Sequence, residues 1–351
     1  MLFFCSCLSC NNHSDETLYN MSIAMSSNTI LSDFIGEGTQ IQLETTENSL
    51  VGDVDKICID SNYIYIADKK NFKVLVFEKS GNYKSQIYAH GNGRNEYVSM
   101  SDMDVEGEQV YILSTPNKSI YVYNIEGEFQ RKIKLNDWYH HLCLWNDFIV
   151  LHSSKSNQQY FNIIVIDSNG EVINKYLPFS KDNSYSFYLD PFNKVSGNEL
   201  LLTFPYDRRV ALLDDEGCNF KYKFDFETLI DFTDYEIDNL LYEDMRERTL
   251  NKNSLKGIDA ITRLSEKEFL LIVTAFYERQ GMRKALCKVN FENNSYSFYK
   301  LGDKIEKEFP YFHNPILLHN DSIYTVVPSN FRTNEIQDYK NPHIWIYPIN
   351  R

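Results

Sequence analysis

Apolar and polar positions alternate in short blocks along this chain, and the pattern is clearest between residues 57 and 83. The runs at 63–67 and 74–77 are apolar, rich in β-branched and aromatic residues, and bounded by polar turn-forming residues. Apolar runs this short between such breakers predict buried strands rather than helices. Gly81, in a Ser-Gly-Asn sequence, suits a tight turn that needs positive φ. The stretch is therefore predicted to form a meander of antiparallel strands.

Weaker copies of this unit recur to the end of the chain. Six second strands are predicted at residues 63–67, 110–113, 148–151, 200–203, 269–273 and 323–327. Third strands follow them at residues 73–77, 120–124, 162–167, 210–213, 284–289 and 344–347. Six copies of a four-stranded unit, spaced by roughly 40 to 70 residues, predict an all-β fold, a six-bladed β-propeller. The sixth unit lacks a fourth strand before Arg351, so residues 39–44 are predicted to close the last blade.

Composition narrows the classes of function. The 351 residues include 25 Tyr and 23 Phe, which favours strands. The formal net charge is −14. Neither a nucleic-acid surface nor a basic patch for anionic lipid is expected, because both need clustered Lys and Arg.

The first ten residues are apolar and small, and the chain turns polar from Asn11 onwards. This segment is too short to span a bilayer. It resembles the end of a bacterial lipoprotein signal, in which Leu-Ser precedes the cysteine that becomes lipidated, and Cys10 is that candidate. The alternatives are a frayed hydrophobic terminus, or a start that lies further upstream, since a basic n-region is missing.

The lipoprotein resemblance implies a domain organisation and a location. Residues 1–10 are expected to be a leader, 11–29 a tether and 30–351 the propeller. A lipid anchor at Cys10 would hold the protein in the bacterial cell envelope, at the periplasmic side of the outer membrane or at the cell surface. The membrane contact is expected through the lipid alone.

The best-preserved repeat resembles a known family. Tyr63-Ile-Tyr-Ile-Ala-Asp68, the segment 71–77 and Gly81 are similar to NHL-type repeats and TolB-like propellers, and closer to the six-bladed β-propeller lipoproteins of Bacteroidota. The loop Gly91-Asn-Gly-Arg-Asn-Glu-Tyr97 resembles the inter-blade segment of that family. The resemblance implies a fold and no particular activity, since propellers host binding proteins, lyases, esterases and scaffolds.

Loop lengths indicate where a ligand would bind. In a propeller, the loops between second and third strands and between blades lie on one face, and here those loops are the long ones. Long loops on a rigid scaffold usually carry function, so a ligand is predicted on this long-loop face near the central channel. The candidate ligand-binding residues are His90, Arg94, Tyr97, Tyr139, His140, Tyr206, Arg208, Arg283, His313 and Arg332.

Arginine forks and aromatic faces suit a carboxylated, phosphorylated or sugar ligand. Any single one of these candidates is nevertheless more readily explained as a structural residue at the propeller rim.

One insertion, at about residues 231–252, is predicted to be helical. Thr233 and Glu236 form a capping box. The apolar stripe that follows comprises Ile237, Leu240, Leu241 and Met245. The helix is either a lid packed on the rim or a docking element for another envelope protein.

No motif in the sequence assigns catalysis: there is no His-Glu-x-x-His, Gly-x-Ser-x-Gly, P-loop or EF-hand. The adjacent His140 and His141 face opposite ways on a strand and cannot bind one ion together. No metal-ligand set and no cofactor is identified. The cysteines beyond the leader are expected to be small buried hydrophobes: Cys58, Cys143, Cys218 and Cys287.

Three hypotheses follow. The first is a non-enzymatic, envelope-anchored monomer that binds a small molecule, glycan or peptide on the long-loop face. The second is a metal-dependent hydrolase or lyase at the channel mouth, and the third is a scaffold for another envelope protein. The missing catalytic motifs favour the first over the second.

Overall fold

Six sheets, each built on four antiparallel strands, form the described part of the molecule, and one of them carries a fifth strand. The computed structural model describes residues 18–25, 29–153, 158–179, 190–195, 198–227, 229–230, 232–240, 242–278, 281–301, 316–327 and 340–351. Each sheet contacts its two neighbours, and the sixth contacts the first, so the sheets close into a ring. The predicted all-β, six-bladed propeller is confirmed.

The strands follow the chain in blade order. Ahead of the first blade lie β1 (Tyr19–Ile23), a 3-10 turn (Leu31–Asp33) and β2 (Thr39–Gln42). Blade 1 comprises β3 (Lys56–Ile59), β4 (Tyr63–Asp68), β5 (Lys73–Glu78) and β6 (Tyr83–Ile87). Blade 2 comprises β7 (Asp102–Glu106), β8 (Gln109–Ser114), β9 (Ser119–Asn124) and β10 (Phe129–Lys134). Blade 3 comprises β11 (His141–Trp145), β12 (Phe148–His152), β13 (Phe161–Ile166) and β14 (Val172–Pro178).

The second half repeats the arrangement with longer strands. Blade 4 comprises β15 (Phe192–Lys194), β16 (Leu200–Thr203), β17 (Arg209–Asp214) and β18 (Gly217–Phe226). Two helices follow, α1 (Asp234–Asn239) and α2 (Tyr242–Arg248). Blade 5 comprises β19 (Ser254–Ser265), β20 (Glu268–Tyr277), β21 (Gly281–Asn290) and β22 (Ser295–Lys300). Blade 6 comprises β23 (Ile316–His319), β24 (Ser322–Val327) and β25 (His343–Pro348), and β2 is its fourth strand.

Each blade is packed between two others, so its central strands bury both faces. On β4, Ile64 and Ile66 pack toward blade 6, whereas Tyr65 and Ala67 pack toward blade 2. The β4 run is therefore nearly continuous in apolar residues, because no side of the strand faces water. This is the physical origin of the short apolar blocks in the sequence.

The amino-terminal strand closes the ring as predicted. β2 pairs antiparallel with β25, with Ile41 opposite Ile344 and Gln40 opposite Trp345. Leu43, just beyond β2, is fully buried in the core between blades 6 and 1. The pairing removes an open sheet edge that would otherwise expose unpaired backbone groups.

A strand that the sequence analysis did not identify lies in the stretch assigned to the tether. β1 pairs in parallel with β18 and extends blade 4 to five strands. Its apolar side chains at Met21 and Ile23 are buried, while Ser22 between them is exposed. The alternation Tyr-Asn-Met-Ser-Ile carries the period of a half-buried strand. Residues 19–23 are thus part of the propeller rather than of a tether.

The insertion forms two helices rather than one. Thr233 Oγ1 accepts the Glu236 N–H at 3.2 Å and Glu236 Oε2 accepts the Thr233 N–H at 2.8 Å, so the capping box is confirmed. The backbone leaves the helical region at Leu240, where ψ is 147°, and this ends α1. Ile237 and Met245 are buried with residues of the insertion's own base, which supports a packed lid. The stripe position Leu241 lies outside the described residues.

Candidate functional site

An axial cavity of about 320 Å³ lies where the inner strands of all six blades meet. Each inner strand begins after an inter-blade connection, so its first residues lie toward the long-loop face. Lys56, Asp102 and His141 are the first residues of β3, β7 and β11, and all three line the cavity. With Asp190, which precedes β15, they form a group from four blades that we call the mouth cluster.

Lys56 joins the carboxylates of the mouth cluster. Its Nζ lies 3.0 Å from Asp102 Oδ1 and 2.6 Å from Asp190 Oδ2. Burial lowers the pKa of Lys56, but the two carboxylates outweigh this effect and raise its pKa well above the usual value. The Asp102 carboxyl is buried, which raises its pKa, yet the Lys56 ammonium, and after it the contact with His141, hold that pKa below its ordinary range. The Asp102 carboxylate and the Lys56 ammonium are therefore both charged at neutral pH.

Asp102 and Asp104 also hold blade 2 against blade 3. Asp102 Oδ2 accepts the Leu142 N–H at 2.9 Å, and Asp104 Oδ2 accepts the Leu144 N–H at 2.7 Å. These backbone groups belong to the inner edge of β11, which has no neighbouring strand on the channel side. Asp102 and Asp104 are two residues apart and lie on the same face of β7. Their carboxylates therefore accept the N–H groups of every second residue along the edge of β11.

The inner strands of blades 4 and 5 are joined in the same way, by a side-chain amide in place of a carboxylate. Asn193 Oδ1 accepts the Ile261 N–H of β19 at 2.9 Å, while its Nδ2 donates to Pro191 O at 3.1 Å. Side-chain hydrogen bonds therefore connect β7 with β11 and β15 with β19 around the cavity.

His141 is the one aromatic member of the mouth cluster. Its residue surface is 4 % exposed, and its ring stacks against that of His152 at 5.7 Å. The Nδ1 atom lies 3.6 Å from Asp102 Oδ2, which is longer than a hydrogen bond. Neither ring nitrogen has a hydrogen-bond partner among the residues that the structure describes. His152 behind it is buried, and burial together with its histidine neighbours holds its pKa well below 6.5.

A second ion pair lies further along the channel wall. Lys194 Nζ on blade 4 lies 2.7 Å from Asp104 Oδ2 on blade 2. Cys58 and Cys143 line the cavity beside this pair, and burial raises the pKa of both thiols. A thiol that stays protonated is a weak nucleophile, so neither cysteine is suited to covalent catalysis. All four described cysteines are buried and free, as expected for small hydrophobes.

Acidic groups outnumber basic ones around the cavity. Five aspartates line it, at positions 55, 102, 104, 190 and 259, against three lysines, at 56, 69 and 194. Asp55 Oδ2 accepts the Lys69 N–H at 2.8 Å, and burial raises the Asp55 pKa above 3.8. This charge balance differs from the arginine-rich surface expected from the sequence, and it favours a ligand that presents positive charge or hydrogen-bond donors.

Of the ligand-binding residues predicted from the sequence, those that the structure describes do not line this cavity. Arg94 and His90 are exposed, with the His90 ring stacked on Phe72 at 3.9 Å. Arg208 pairs with Asp225 at 2.9 Å, and Arg283 donates to Met282 O at 2.8 Å. The predicted convergence of these side chains on one site is not seen in the described part of the chain.

The predicted aromatic residues are packing residues. Tyr97 is fully buried, and its hydroxyl donates to Phe72 O at 2.6 Å. Tyr139 is buried, and its hydroxyl accepts from Gln159 Nε2 at 2.9 Å. Tyr206 is buried against Phe232 at the base of the insertion. Each lies in a loop of the long-loop face and packs in a buried cluster rather than lining the cavity.

Two predicted residues and the lipidation candidate lie outside the described residues: His313, Arg332 and Cys10. His140 is half-buried, and burial and the neighbouring His141 lower its pKa. The opposite orientation expected for the two histidines agrees with the cavity lining, which includes His141 and not His140. The mouth cluster has no local sequence signal, because its members stand far apart along the chain at or just before the first residues of inner strands.

Comparison with known proteins places the chain in a family and adds no activity. The family model for the domain of unknown function DUF4934 matches residues 18–344. The chain is similar in fold to a crystal structure from Bacteroides fragilis NCTC 9343 described as an exported protein. The two are 17 % identical with a TM-score of 0.74, over 95 % of this chain and 100 % of that one.

A member of the DUF4221 family from Bacteroides vulgatus ATCC 8482 is similar at 10 % identity and a TM-score of 0.59. That comparison covers 90 % of this chain and 97 % of the other. No curated protein matches the chain. Among the described residues, neither α1 nor α2 has the length and apolarity needed to cross a bilayer. Since the DUF4934 model spans most of its length, the chain belongs to the DUF4934 family and is a six-bladed β-propeller resembling those of Bacteroidota.

Proposed function

We propose that this protein is an envelope β-propeller that binds a small polar molecule, or one residue of a glycan or peptide, in its axial cavity. The observation that carries the proposal is the mouth cluster, in which Lys56 is bonded to carboxylates of two other blades inside an open cavity. Buried charges that converge on a cavity are uncommon outside functional sites.

The size of the cavity supports a small occupant. A volume of about 320 Å³ lies at the lower end of small-molecule sites, which span roughly 300 to 1,000 Å³. A whole protein domain would not enter it, but one sugar ring or one peptide side chain would. The excess of aspartate over lysine favours a ligand with an amino group or several hydroxyl donors.

The envelope location rests on two independent observations. The leader that ends at Cys10 is similar to a lipoprotein signal. The Bacteroides fragilis protein that shares the fold is described as exported. Changing Cys10→Ser is expected to move the protein from the membrane fraction to the soluble fraction. Retention of Cys10→Ser in washed membranes would exclude this anchor.

A ligand panel tests the binding proposal. Purified protein is screened by thermal shift against amino sugars, amino acids, polyamines, organic acids and sugar phosphates, and hits are measured by calorimetry. Asp190→Asn, in the mouth cluster, should abolish the response, while Arg94→Ala, on the exposed rim, should leave it unchanged. If no ligand class raises Tm, the proposal of ligand binding in the axial cavity is wrong. It is also wrong if Arg94→Ala loses binding while Asp190→Asn keeps it.

A metal-dependent hydrolase or lyase is the second candidate, and one observation favours it. Asp102, His141 and Asp190 each offer a metal-ligating atom at the mouth of the cavity. Hydrolysis or elimination products from a substrate panel, made only by metal-loaded protein, would support this activity. Docking of another envelope protein on the helical insertion stays a prediction, for which Tyr235 and Leu250 are exposed apolar side chains.

A further inference from the structure

Three side chains of the mouth cluster bring metal-ligating atoms together. One such atom each from Asp102, His141 and Asp190 lies within 4.8 Å of the other two. We propose that these three residues bind a divalent transition-metal ion, such as Zn²⁺ or Mn²⁺, and that Lys56 supplies the countercharge when no ion is bound. The inference rests on the proposed function only in taking the axial cavity as the binding site.

The spacing of the ligand atoms fits one ion. His141 Nδ1 lies 3.6 Å from Asp102 Oδ2. Two ligands bound to one tetrahedral ion at about 2.1 Å stand about 3.4 Å apart. The pair is therefore too far apart for a good hydrogen bond and close to the separation that a shared ion imposes. The carboxylate of Asp190 reaches the same point from blade 4.

His141 is the observation that separates this group from an ordinary acidic cluster. It is buried, it lines the cavity, and neither ring nitrogen has a hydrogen-bond partner among the described residues. A buried polar group without such a partner loses the free energy of the missing bond, so it is expected only where something else satisfies it. An ion at Nδ1 would do so.

The carboxylates are held in place by their other contacts. Asp102 Oδ2 accepts the Leu142 N–H at 2.9 Å, and Asp190 Oδ1 accepts the Phe192 N–H at 3.0 Å. Backbone donors of this kind orient a ligating carboxylate and lower the entropy lost when an ion binds. The site is therefore largely formed before any ion arrives.

The donor set indicates the class of ion. One imidazole nitrogen and two carboxylate oxygens suit Zn²⁺, Mn²⁺ and related transition ions, whereas Ca²⁺ and Mg²⁺ prefer oxygen alone. Three protein ligands leave at least one position open toward the cavity. A bound water or a polar ligand would complete the coordination there.

Lys56 competes with the ion for the same carboxylates. Its Nζ bonds Asp102 Oδ1 and Asp190 Oδ2, so an ion binds only if the ammonium withdraws. The ammonium is carried on a flexible four-carbon side chain at an open cavity, so it can withdraw without backbone movement. Lys56 thereby weakens metal affinity and prevents like-charge repulsion between the carboxylates in the metal-free state.

Calorimetric titration of chelator-treated full-length protein with Zn²⁺ or Mn²⁺ alone tests the site. Wild type should bind one ion per chain, and Lys56→Met should bind at least about tenfold more tightly because the competing charge is gone. Asp190→Asn and His141→Gln should each weaken binding at least about tenfold. Asp55→Asn is the matched control, since Asp55 lines the same cavity without belonging to the group. The partly exposed Asp190 serves as the reporter if His141→Gln does not fold.

The outcomes are separable. Absence of binding by wild type at about 1 mM ion overturns the proposal, and so does binding that Asp190→Asn leaves unchanged. Tighter binding by Lys56→Met, combined with weaker binding by Asp190→Asn and a normal Asp55→Asn, supports it. No organic ligand is present in this titration, so its failure leaves the binding function to be judged by the ligand panel alone.

Discussion

Asp104 on blade 2 accepts two hydrogen bonds on one oxygen, from the Leu144 N–H of blade 3 at 2.7 Å and from Lys194 Nζ of blade 4 at 2.7 Å. A single buried carboxylate thus connects three blades across the channel. Removing it would leave a backbone donor and an ammonium without their acceptor.

Asp104→Ala is therefore expected to lower the free energy of unfolding by about 3 kcal/mol. Lys194→Met should lower it less, because the Lys194 side chain is 50 % exposed and the carboxylate keeps its backbone donors. Urea unfolding followed by tryptophan fluorescence and circular dichroism measures both. Equal losses for the two variants would mean that Asp104 acts through the lysine alone.

The buried histidines predict how stability depends on pH. Burial, and then the neighbouring His141 and His140, depress the pKa of His152 well below 6.5 in the folded state. When the pH falls below 6.5, the unfolded chain takes up a proton at this residue and the folded chain does not. The unfolded state then binds more protons, so the stability from neutral His152 is complete above that pH and is lost progressively below it.

The free energy of unfolding should accordingly fall between pH 7.5 and 5, by up to about 1.4 kcal/mol per pH unit for each such histidine. Burial also lowers the pKa of His140, His319 and His343. Each of these histidines therefore also makes the free energy of unfolding fall as the pH falls. His152→Phe places an apolar ring beside Phe192 and Phe204. It should reduce the dependence of the free energy of unfolding on pH by an amount that corresponds to about one bound proton. Urea unfolding at four pH values measures this pH dependence. An unchanged pH dependence in His152→Phe would mean that groups other than His152 cause it.

The first blade's turn depends on a glycine for two reasons. Gly81 has φ +93°, and a Cβ there would lie 2.2 Å from the Gln42 carbonyl oxygen, next to the strand that closes the ring. Gly81→Ala is expected to lower the free energy of unfolding by about 2 to 4 kcal/mol, through backbone strain and the clash with β2.

Gly107 provides the matched control for that substitution. It also has positive φ, at +56°, but nothing lies within 4 Å of the position its Cβ would take. Gly107→Ala should therefore lower stability by about 1 kcal/mol, from strain alone. Differential scanning calorimetry of the two variants compares them. A Gly107→Ala loss as large as that of Gly81→Ala would show that contact with β2 contributes nothing.

The fold could be predicted because every blade repeats one local rule. Short blocks such as Val74 to Phe77 bury both faces between neighbouring blades, and each block ends at a turn such as Gly81. The closing pair of Ile41 and Ile344 could also be anticipated, since a unit with a missing strand leaves an edge to be covered. β1 was missed because its alternation is short and stands outside the repeated units, and because its partner β18 lies about 200 positions away.

From the sequence, a ligand site could be predicted only as far as a face and the central channel, and it stays a prediction. Which side chains meet on the axis depends on the register of six inner strands relative to one another, and β-strand periodicity does not carry that information. Lys56, Asp102 and His141 share a simple property, the first position of an inner strand, but each stands alone in the sequence. In the sequence, Tyr97 and Tyr206 cannot be distinguished from exposed aromatic residues of loops. Only tertiary packing buries their side chains.

Two basic residues of blade 4 bind α1: Lys223, whose Nζ lies 3.1 Å from Asp234 Oδ1, and Arg209. Arg209 Nη2 lies 2.9 Å from Asp207 Oδ2 and 2.7 Å from Asp238 Oδ1 of α1, and its guanidinium lies over the Phe220 ring at 4.1 Å. Asp207 is buried whereas Asp238 is mostly exposed, so the two partners have different roles. Asp207 fixes the guanidinium in place, and Asp238 is the contact that ties the helix to it.

Asp238→Ala should therefore loosen the insertion without disturbing the propeller. Amide hydrogen exchange in α1 and α2 is expected to speed up about tenfold, while the melting temperature changes by no more than about 2 °C. Arg209→Met should speed up the same amides and also lower the melting temperature, because it leaves Asp207 buried without its countercharge. Glu243→Ala, which removes an exposed 3.8 Å pair with Arg246 on α2, is the control and should change neither. Unaltered exchange in Asp238→Ala would mean that the Lys223–Asp234 pair and the buried Ile237 and Met245, rather than the arginine, hold the insertion.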